Sequence, residues 1–450
     1  MDLLERENAA LRHEVPALWQ ALSPPGRRAG GGTPAHRAQP AASARPAEPA
    51  PAPAQATRDR VLAAPPPLSG AALPHRLAAA LAGLPGGAAG IAAALGSAPA
   101  TGWPELRRAW RERQRQGVAA ALPSSLPVVT AGLSHGLSLV ADLFGGLGKA
   151  VAVPEPFWGS YRQTFGMCGG GRLLTAPAYR EGRFDPLAAA RPLADLPEGE
   201  PAVVLVNLPS NPGGYSPTAG ERRQLTASLL AAADRRPLVV VCDDAYAGLV
   251  YEPEVPRGSL FWELAGAHPN LVPVKVDGAT KEVCFFGGRV GFLTFAVEPG
   301  SAAAGALETK VGALLRSGVG AAPSASQAVL LAALGDAGLE AQMEDVRQLL
   351  AARFRVLRET LAAADRERLA TLPFNAGCFA LVEVPARLGL GAGVVRRHLL
   401  ERWDVGLVSI APRYLRIAHC SVAADALPEM VRRLEAGIGE LAAAGSRGQI

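Results

Sequence analysis

Apolar residues fall in short, unbroken blocks between residues 128 and 295, separated by longer stretches of helical periodicity. Ala202-Val-Val-Leu-Val206 and Pro237-Leu-Val-Val-Val241 contain no polar residue, the pattern of a strand buried on both faces. Val128-Val-Thr130, Ala150 to Val153, Arg172 to Thr175, Leu271 to Val276 and Val290 to Phe295 read as further strands. Between them, Gly132-Leu-Ser-His-Gly136 opens an apolar helix to about Phe144, and Ala219 to Ala233 forms another. Strands alternating with helices predict a parallel sheet with helices on both faces.

The flanks read differently. Residues 301–318, 323–335 and 337–364 predict long helices, followed by strands at Phe379 to Glu383 and Tyr414 to Ala418. A last helix, Ala426 to Ala444, has Asp425 as its expected N-cap. The fold class is therefore α/β, with a large domain over 101–315 and a smaller α+β domain over 316–446. Glu105 to Gln116 reads as a charged amphipathic helix, and residues 67–100 as an N-terminal arm. Leu4, Leu11 and Leu18 stand at heptad spacing in residues 1–22, a helix too short to be stable alone. Residues 23–66 are rich in Pro, Ala, Gly and Arg without periodicity, and predict a disordered linker.

Composition narrows the function classes. In 450 residues, 49% hydrophobic content supplies a sizeable core, and a net charge of +5 without a dense basic block argues against a nucleic-acid partner. Five widely spaced cysteines, with no Cys-x-x-Cys pair, fit neither a disulfide framework nor a zinc site. The charged N-terminus lacks a secretory apolar core, and no long uncharged apolar run suggests a membrane span. A reduced, cytoplasmic location and no metal are the expectation.

Lysine gives the sharper signal. It occurs only at 149, 275, 281 and 310, so 45 − 4 = 41 of the basic residues are Arg. A guanidinium stays protonated and cannot attack a carbonyl, whereas a lysine amine can, so the surviving lysines are the first candidates for chemistry. Lys149 and Lys310 read as surface charges and Lys275 as a strand-edge charge. Lys281 follows an apolar strand and precedes Arg289 by eight residues in a Gly-rich stretch. Ligands of an open parallel sheet collect at the carboxyl ends of its strands. Those ends carry Asn207-Leu-Pro-Ser-Asn-Pro-Gly-Gly214, Cys242-Asp-Asp-Ala-Tyr246 and Asp277-Gly-Ala-Thr-Lys281. Singly, such residues serve as caps, turns or solvated charges; together they would line one crevice.

In their order and spacing these boxes resemble the fold-type I pyridoxal-phosphate aminotransferases of class I/II. Asn211-Pro-Gly-Gly214 is similar to the family's Asn-Pro-Thr-Gly, Asp243-Asp-Ala-Tyr246 to its Asp-x-Ala-Tyr, and Thr280-Lys281 with Arg289-Val-Gly291 to its Ser/Thr-Lys and Arg-x-Gly. The resemblance implies pyridoxal 5'-phosphate held by Lys281 as a Schiff base, with Lys281 also moving the proton. It implies Asp243 at the ring nitrogen, Tyr246 and Asn211 at the ring oxygen, and Trp158 stacked on the ring. Arg289, Thr280, Ser134 and the amides of Ser134 and His135 would hold the phosphate. Arg416, in Leu415-Arg-Ile-Ala418, would grip the substrate carboxylate, and Asn375, in Asn375-Ala-Gly377, would line the pocket.

The implied activity is ping-pong amino transfer between an α-amino acid and a 2-oxo acid, in a homodimer. Elimination, replacement, cyclisation or decarboxylation on the same scaffold is the alternative, and a ligand-sensing regulator a more distant one. Three departures stand out. Gly278 replaces the family's Ser three residues before the Lys, Gly213 replaces the Thr of the Asn-Pro box, and Ser97 stands where the family carries a Tyr that reaches the partner subunit.

Overall fold

Seven strands build the central sheet of the chain, which a computed structural model describes over residues 83–84, 88–410 and 412–445. They are β1 (Val128–Thr130), β2 (Ala150–Glu155), β3 (Arg172–Pro177), β6 (Ala202–Asn207), β7 (Leu238–Asp243), β8 (Leu271–Gly278) and β9 (Gly291–Phe295). A two-stranded ribbon, β4 (Tyr179–Arg180) and β5 (Arg183–Phe184), interrupts the series. The principal helices, in chain order, are α1 (Pro104–Gln114), α2 (Leu133–Phe144), α3 (Ala219–Arg235), α4 (Ala302–Gly318), α5 (Leu339–Ala362), α6 (Ala392–Trp403) and α7 (Leu427–Gly445). The helix expected over 1–22, the linker over 23–66 and most of the N-terminal arm lie outside the described residues.

The sheet order is β1-β9-β8-β7-β6-β2-β3. β2, β3, β6, β7 and β8 pair in parallel, as expected, but β9 is antiparallel to both β8 and β1. Its connection from β8, Ala279 to Val290, holds only a four-residue helical turn, Ala279–Glu282. A parallel return needs a crossover helix across one face. The segment instead doubles back at the sheet edge, and this places Lys281 and Arg289 beside the strand ends.

Alternate residues of the apolar blocks point to opposite faces, as pleating requires. Val203, Leu205, Val239 and Val241 pack under Leu137 and Val140 of α2 and Leu307 and Val311 of α4. Val204, Val206, Val240 and Cys242 pack against Leu225 and Leu229 of α3. Each such side chain contributes about 1.5–3 kcal/mol by leaving water. Helix α3 begins in a capping box in which Thr218 and Glu221 satisfy each other's backbone N–H groups.

The second sheet is antiparallel, in the order β10 (Ala370–Thr371), β11 (Ala380–Glu383), β13 (Tyr414–Ile417) and β12 (Val408–Ile410). Phe354 and Leu357 of α5, Val395 and Leu399 of α6, and Leu434 and Ile438 of α7 form its core. Two of these strands and α6 were not expected. β10 and β12 span two and three residues, too few to show a period. Asp425 is not the N-cap of the last helix, because a 3₁₀ turn, Ala424–Ala426, precedes α7.

Because β9 is antiparallel to both its neighbours, β1 runs in the same direction as β2, β6, β7 and β8. The chain leaves all of these strands at one edge. Thr130, Glu155, Asn207, Asp243 and Gly278 therefore end on the same side of the molecule.

Candidate active site

At that edge Ser134, Trp158, Asn211, Asp243, Tyr246, Thr280, Lys281, Arg289 and Arg416 line one cavity of about 320 Å³. Lys281 is the only one of the four lysines on its wall. His135 and Asn375 do not line it. Nδ1 of His135 accepts a hydrogen bond from the Ala131 N–H at 3.1 Å, and burial lowers the imidazole pKa. Asn375 uses both halves of its amide on the backbone of Ser216, at 2.8 and 2.9 Å, and so staples a turn instead of facing a ligand.

Asp243 ends β7 and is 4% exposed. Its Oδ2 accepts a hydrogen bond from the Tyr161 hydroxyl, and its Oδ1 accepts one from the Ala245 N–H at 3.1 Å. Burial pushes the carboxyl up to about 6, against the pull of those two bonds. Asn207 links neighbouring strand ends, donating to the Asp243 carbonyl at 2.8 Å and accepting from the Asn211 N–H at 2.6 Å. Neither Tyr161 nor Asn207 was assigned a role from sequence. Asn207 lay in plain view at a strand end, whereas Tyr161 reaches Asp243 from 82 residues away.

Around Lys281 lie two aromatic rings, a buried hydroxyl and a guanidinium. Its Nζ lies 4.8 Å from the Phe286 ring centre and 5.9 Å from that of Tyr246. Burial raises the Tyr246 phenol, which keeps it protonated and able to donate. The Thr280 hydroxyl is buried with no hydrogen-bond partner. The Arg289 guanidinium lies against Gly132, where an added Cβ would come within 2.5 Å of Nη2, and Gly132 has φ +88°. Both the space and the backbone require glycine there. Gly278, in place of the family's Ser, has no room for a side chain, since a Cβ would lie 2.6 Å from the Val290 carbonyl. Just after Gly132, α2 presents the first-turn amides of a twelve-residue helix beside Ser134. Such amides have no intrahelical acceptor and favour an anion. An orphaned hydroxyl, a guanidinium without an ion pair among the described residues and a helix N-terminus together fit a phosphate.

On the opposite wall, Arg416 Nη1 donates to Asn211 Oδ1 at 2.9 Å, and the guanidinium lies 4.2 Å from the Phe379 ring centre. Its Nε is buried without a partner. A planar fork with an unused donor suits a carboxylate. Residues 78–434 match the family described as aminotransferase class I and II. The chain belongs to that family. An aspartate aminotransferase of Rhizobium meliloti strain 1021 is 32% identical over 197 residues, covering 42% of this chain and 44% of that one. The arginine–pyruvate transaminase of Pseudomonas aeruginosa is 27% identical over 342 residues, covering 75% of this chain and 80% of its own. The chain spans less than half the length of the aspartate and tyrosine aminotransferases it matches.

Among solved structures, the α-aminoadipate aminotransferase LysN of Thermus thermophilus, complexed with N-(5'-phosphopyridoxyl)-L-leucine, is similar with a TM-score of 0.67 at 24% identity. It covers 82% of this chain and 89% of that one. The aromatic aminotransferase of Pyrococcus horikoshii has a TM-score of 0.65 at 19% identity, covering 84% and 93%. These likenesses show the fold, fold type I.

A further position in this aminotransferase-family chain departs from what its sequence predicts. Lys275 is not a strand-edge charge, for it lies in the middle of the sheet at 4% exposure. Its Nζ meets Asp244 Oδ2 at 2.5 Å and Asp277 Oδ2 at 2.9 Å. Asp277 also accepts hydrogen bonds from Trp110 and Gln114 of α1. The triad ties the residue after β7 to β8.

Proposed function

We propose that this chain binds pyridoxal 5'-phosphate and moves an amino group between an α-amino acid and a 2-oxo acid. The observation that carries the reading is the convergence on one cavity of a lysine, a buried aspartate and two arginines, the cations having no ion pair among the described residues. When bound, the cofactor supplies an electron sink that no side chain offers. Asp243, drawn down from about 6 by a cationic ring nitrogen, would stay ionised and keep that nitrogen protonated. Tyr246 donates its phenolic proton towards the ring oxygen. Asn211, whose Oδ1 is taken by Arg416, has its amide nitrogen left to donate. Trp158 packs edge-on against Tyr161, with ring centres 5.6 Å apart, and offers a flat face to the cofactor.

Thr280, Arg289, Ser134 and the first-turn amides of Ser134 and His135 hold the phosphate. Arg416 grips the substrate carboxylate and so fixes the Cα hydrogen near Lys281. Among the described residues the Lys281 Nζ is the sole primary amine on the wall, and it moves that proton. We place the cofactor domain over 101–315 and the smaller domain over 316–446, in a cytoplasmic homodimer. Among the described residues no helix is long and apolar enough to cross a membrane. The test is a half-reaction. With one amino donor and no acceptor, the cofactor band should convert to the amine form with stoichiometric 2-oxo acid. Release of ammonia without that conversion would overturn the reading in favour of elimination.

A further inference from the structure

Two thiols meet behind the Arg416 wall. The register of β11 on β13, with Ala380 opposite Ile417, brings the residue two before β11's first position against the turn that follows β13. These are Cys378 and Cys420, the latter in the 3₁₀ turn His419–Ser421. Each thiol is the largest single influence on the other's titration, and both thiols are free. They pack in the same apolar cluster as Tyr246 and Phe379. Cys378 is buried, whereas Cys420 is partly exposed.

The surroundings make the two sulfurs unequal. The neighbouring Cys378 thiol pulls the Cys420 thiol down to about 6; burial opposes this, while Ser421, Lys281 and Arg416 add to it. Cys420, with burial, pushes Cys378 well above its usual range. A stabilised, reachable thiolate beside a second thiol is the arrangement that oxidises selectively.

We propose that Cys420 and Cys378 form a modification site at which a hydroperoxide closes a disulfide against the substrate-carboxylate wall. The Cys420 sulfur attacks one peroxide oxygen and the O–O bond breaks. The other oxygen leaves as an alcohol or water after taking a proton, and Cys420 becomes a sulfenic acid. The Cys378 sulfur then attacks the Cys420 sulfur, the S–S bond forms, and the hydroxyl leaves as water with the Cys378 proton. Two thiols and one hydroperoxide give one disulfide, one alcohol or water, and one further water. The sulfur pair loses two electrons and the peroxide gains them.

The consequence for turnover rests on the reading of Arg416 as the carboxylate clamp. Cys378 directly precedes Phe379, whose ring lies under the Arg416 guanidinium and 5.5 Å from the Tyr246 ring. Cys420 stands four residues beyond Arg416. Drawing the sulfurs into a bond of about 2.05 Å shifts both flanks of that clamp. Weakening a charge-assisted hydrogen bond raises KM for the amino donor about tenfold or more, while the cofactor absorbance remains.

The experiment treats the pyridoxal-phosphate-loaded protein with hydrogen peroxide, then alkylates it under denaturing conditions. The free thiols should fall from five to 5 − 2 = 3, and a non-reduced peptide map should show Cys378 joined to Cys420. A thiol reductant should restore both the count and KM, and Cys378→Ser and Cys420→Ser should each keep KM unchanged under peroxide. A count that stays at five, or a sulfinic acid on Cys420 without a cross-link, overturns the site. A disulfide that forms while KM stays fixed overturns its coupling to the wall. The thiol count and map need no turnover, so they decide the site even if the amino-transfer reading fails.

Discussion

Lys275→Met tests whether the buried triad is the strut that holds the two strand ends. The lysine contacts Asp244 at 2.5 Å and Asp277 at 2.9 Å, and all three residues are 3–4% exposed. Burial alone would lower the Lys275 ammonium; the two carboxylates outweigh it and hold the group above its usual range. Removing one member of a buried ion pair costs about 3–5 kcal/mol, because a charge remains uncompensated. Protonation caps the penalty. Neutralising one carboxylate of ordinary pKa about 3.9 at pH 7 costs about 4 kcal/mol, at about 1.4 kcal/mol per pH unit.

The variant should therefore lose about 3–5 kcal/mol at pH 7.5. Its carboxylates now have folded pKa values raised above the unfolded ones, so the deficit narrows as pH falls towards about 5. Urea unfolding at both pH values, at fixed cofactor concentration, measures this. Asp244→Asn, Lys275→Met and Asp277→Asn together should lose less than Lys275→Met alone. A single-variant loss below about 1 kcal/mol, or one independent of pH, would refute the reasoning.

Three further outcomes follow from the cavity. Thr280→Val removes a buried hydroxyl that lacks a partner, so stability should hold while cofactor affinity drops about tenfold or more by equilibrium titration; unchanged affinity contradicts the phosphate cradle. Asp243 has a folded pKa of about 6, above its unfolded value of about 3.9. The folded chain thus retains a proton that the unfolded chain has lost, and stability falls as pH rises through that window. Without cofactor, Asp243→Asn should be more stable than the parent at pH 8, on the order of 1–3 kcal/mol, and equal to it near pH 4 by thermal melts; a less stable variant at pH 8 would contradict the assignment. Gly132→Ala forces a Cβ towards Arg289 from a backbone at φ +88°, ψ 169°. It should cost about 1–3 kcal/mol and weaken cofactor binding, and a neutral result would show that the guanidinium is not packed there.

Much of this was legible in the chain because each feature had a local signature. Unbroken apolar blocks such as Ala202 to Val206 marked strands buried on both faces, and lysine scarcity singled out Lys281. Features made by folding were less legible. The direction of β9 depends on the short Ala279–Val290 connection, and β12 is three residues long. Tyr161 meets Asp243 only because β2 and β7 flank β6. Lys275 and Asp277 share one face of β8 by period 2, a visible hint, yet their partner Asp244 is the residue that follows the neighbouring strand. Asn375 resembled a pocket residue by its turn, but the backbone of Ser216, 159 residues away, takes up its amide.

One lysine amine among four is the proposed anchor of the cofactor. The protein loaded with pyridoxal 5'-phosphate should be reduced with borohydride, digested and mapped by mass. A phosphopyridoxyl group on Lys281, and on none of Lys149, Lys275 and Lys310, is the predicted result. A group on another lysine, or none at all, would contradict it.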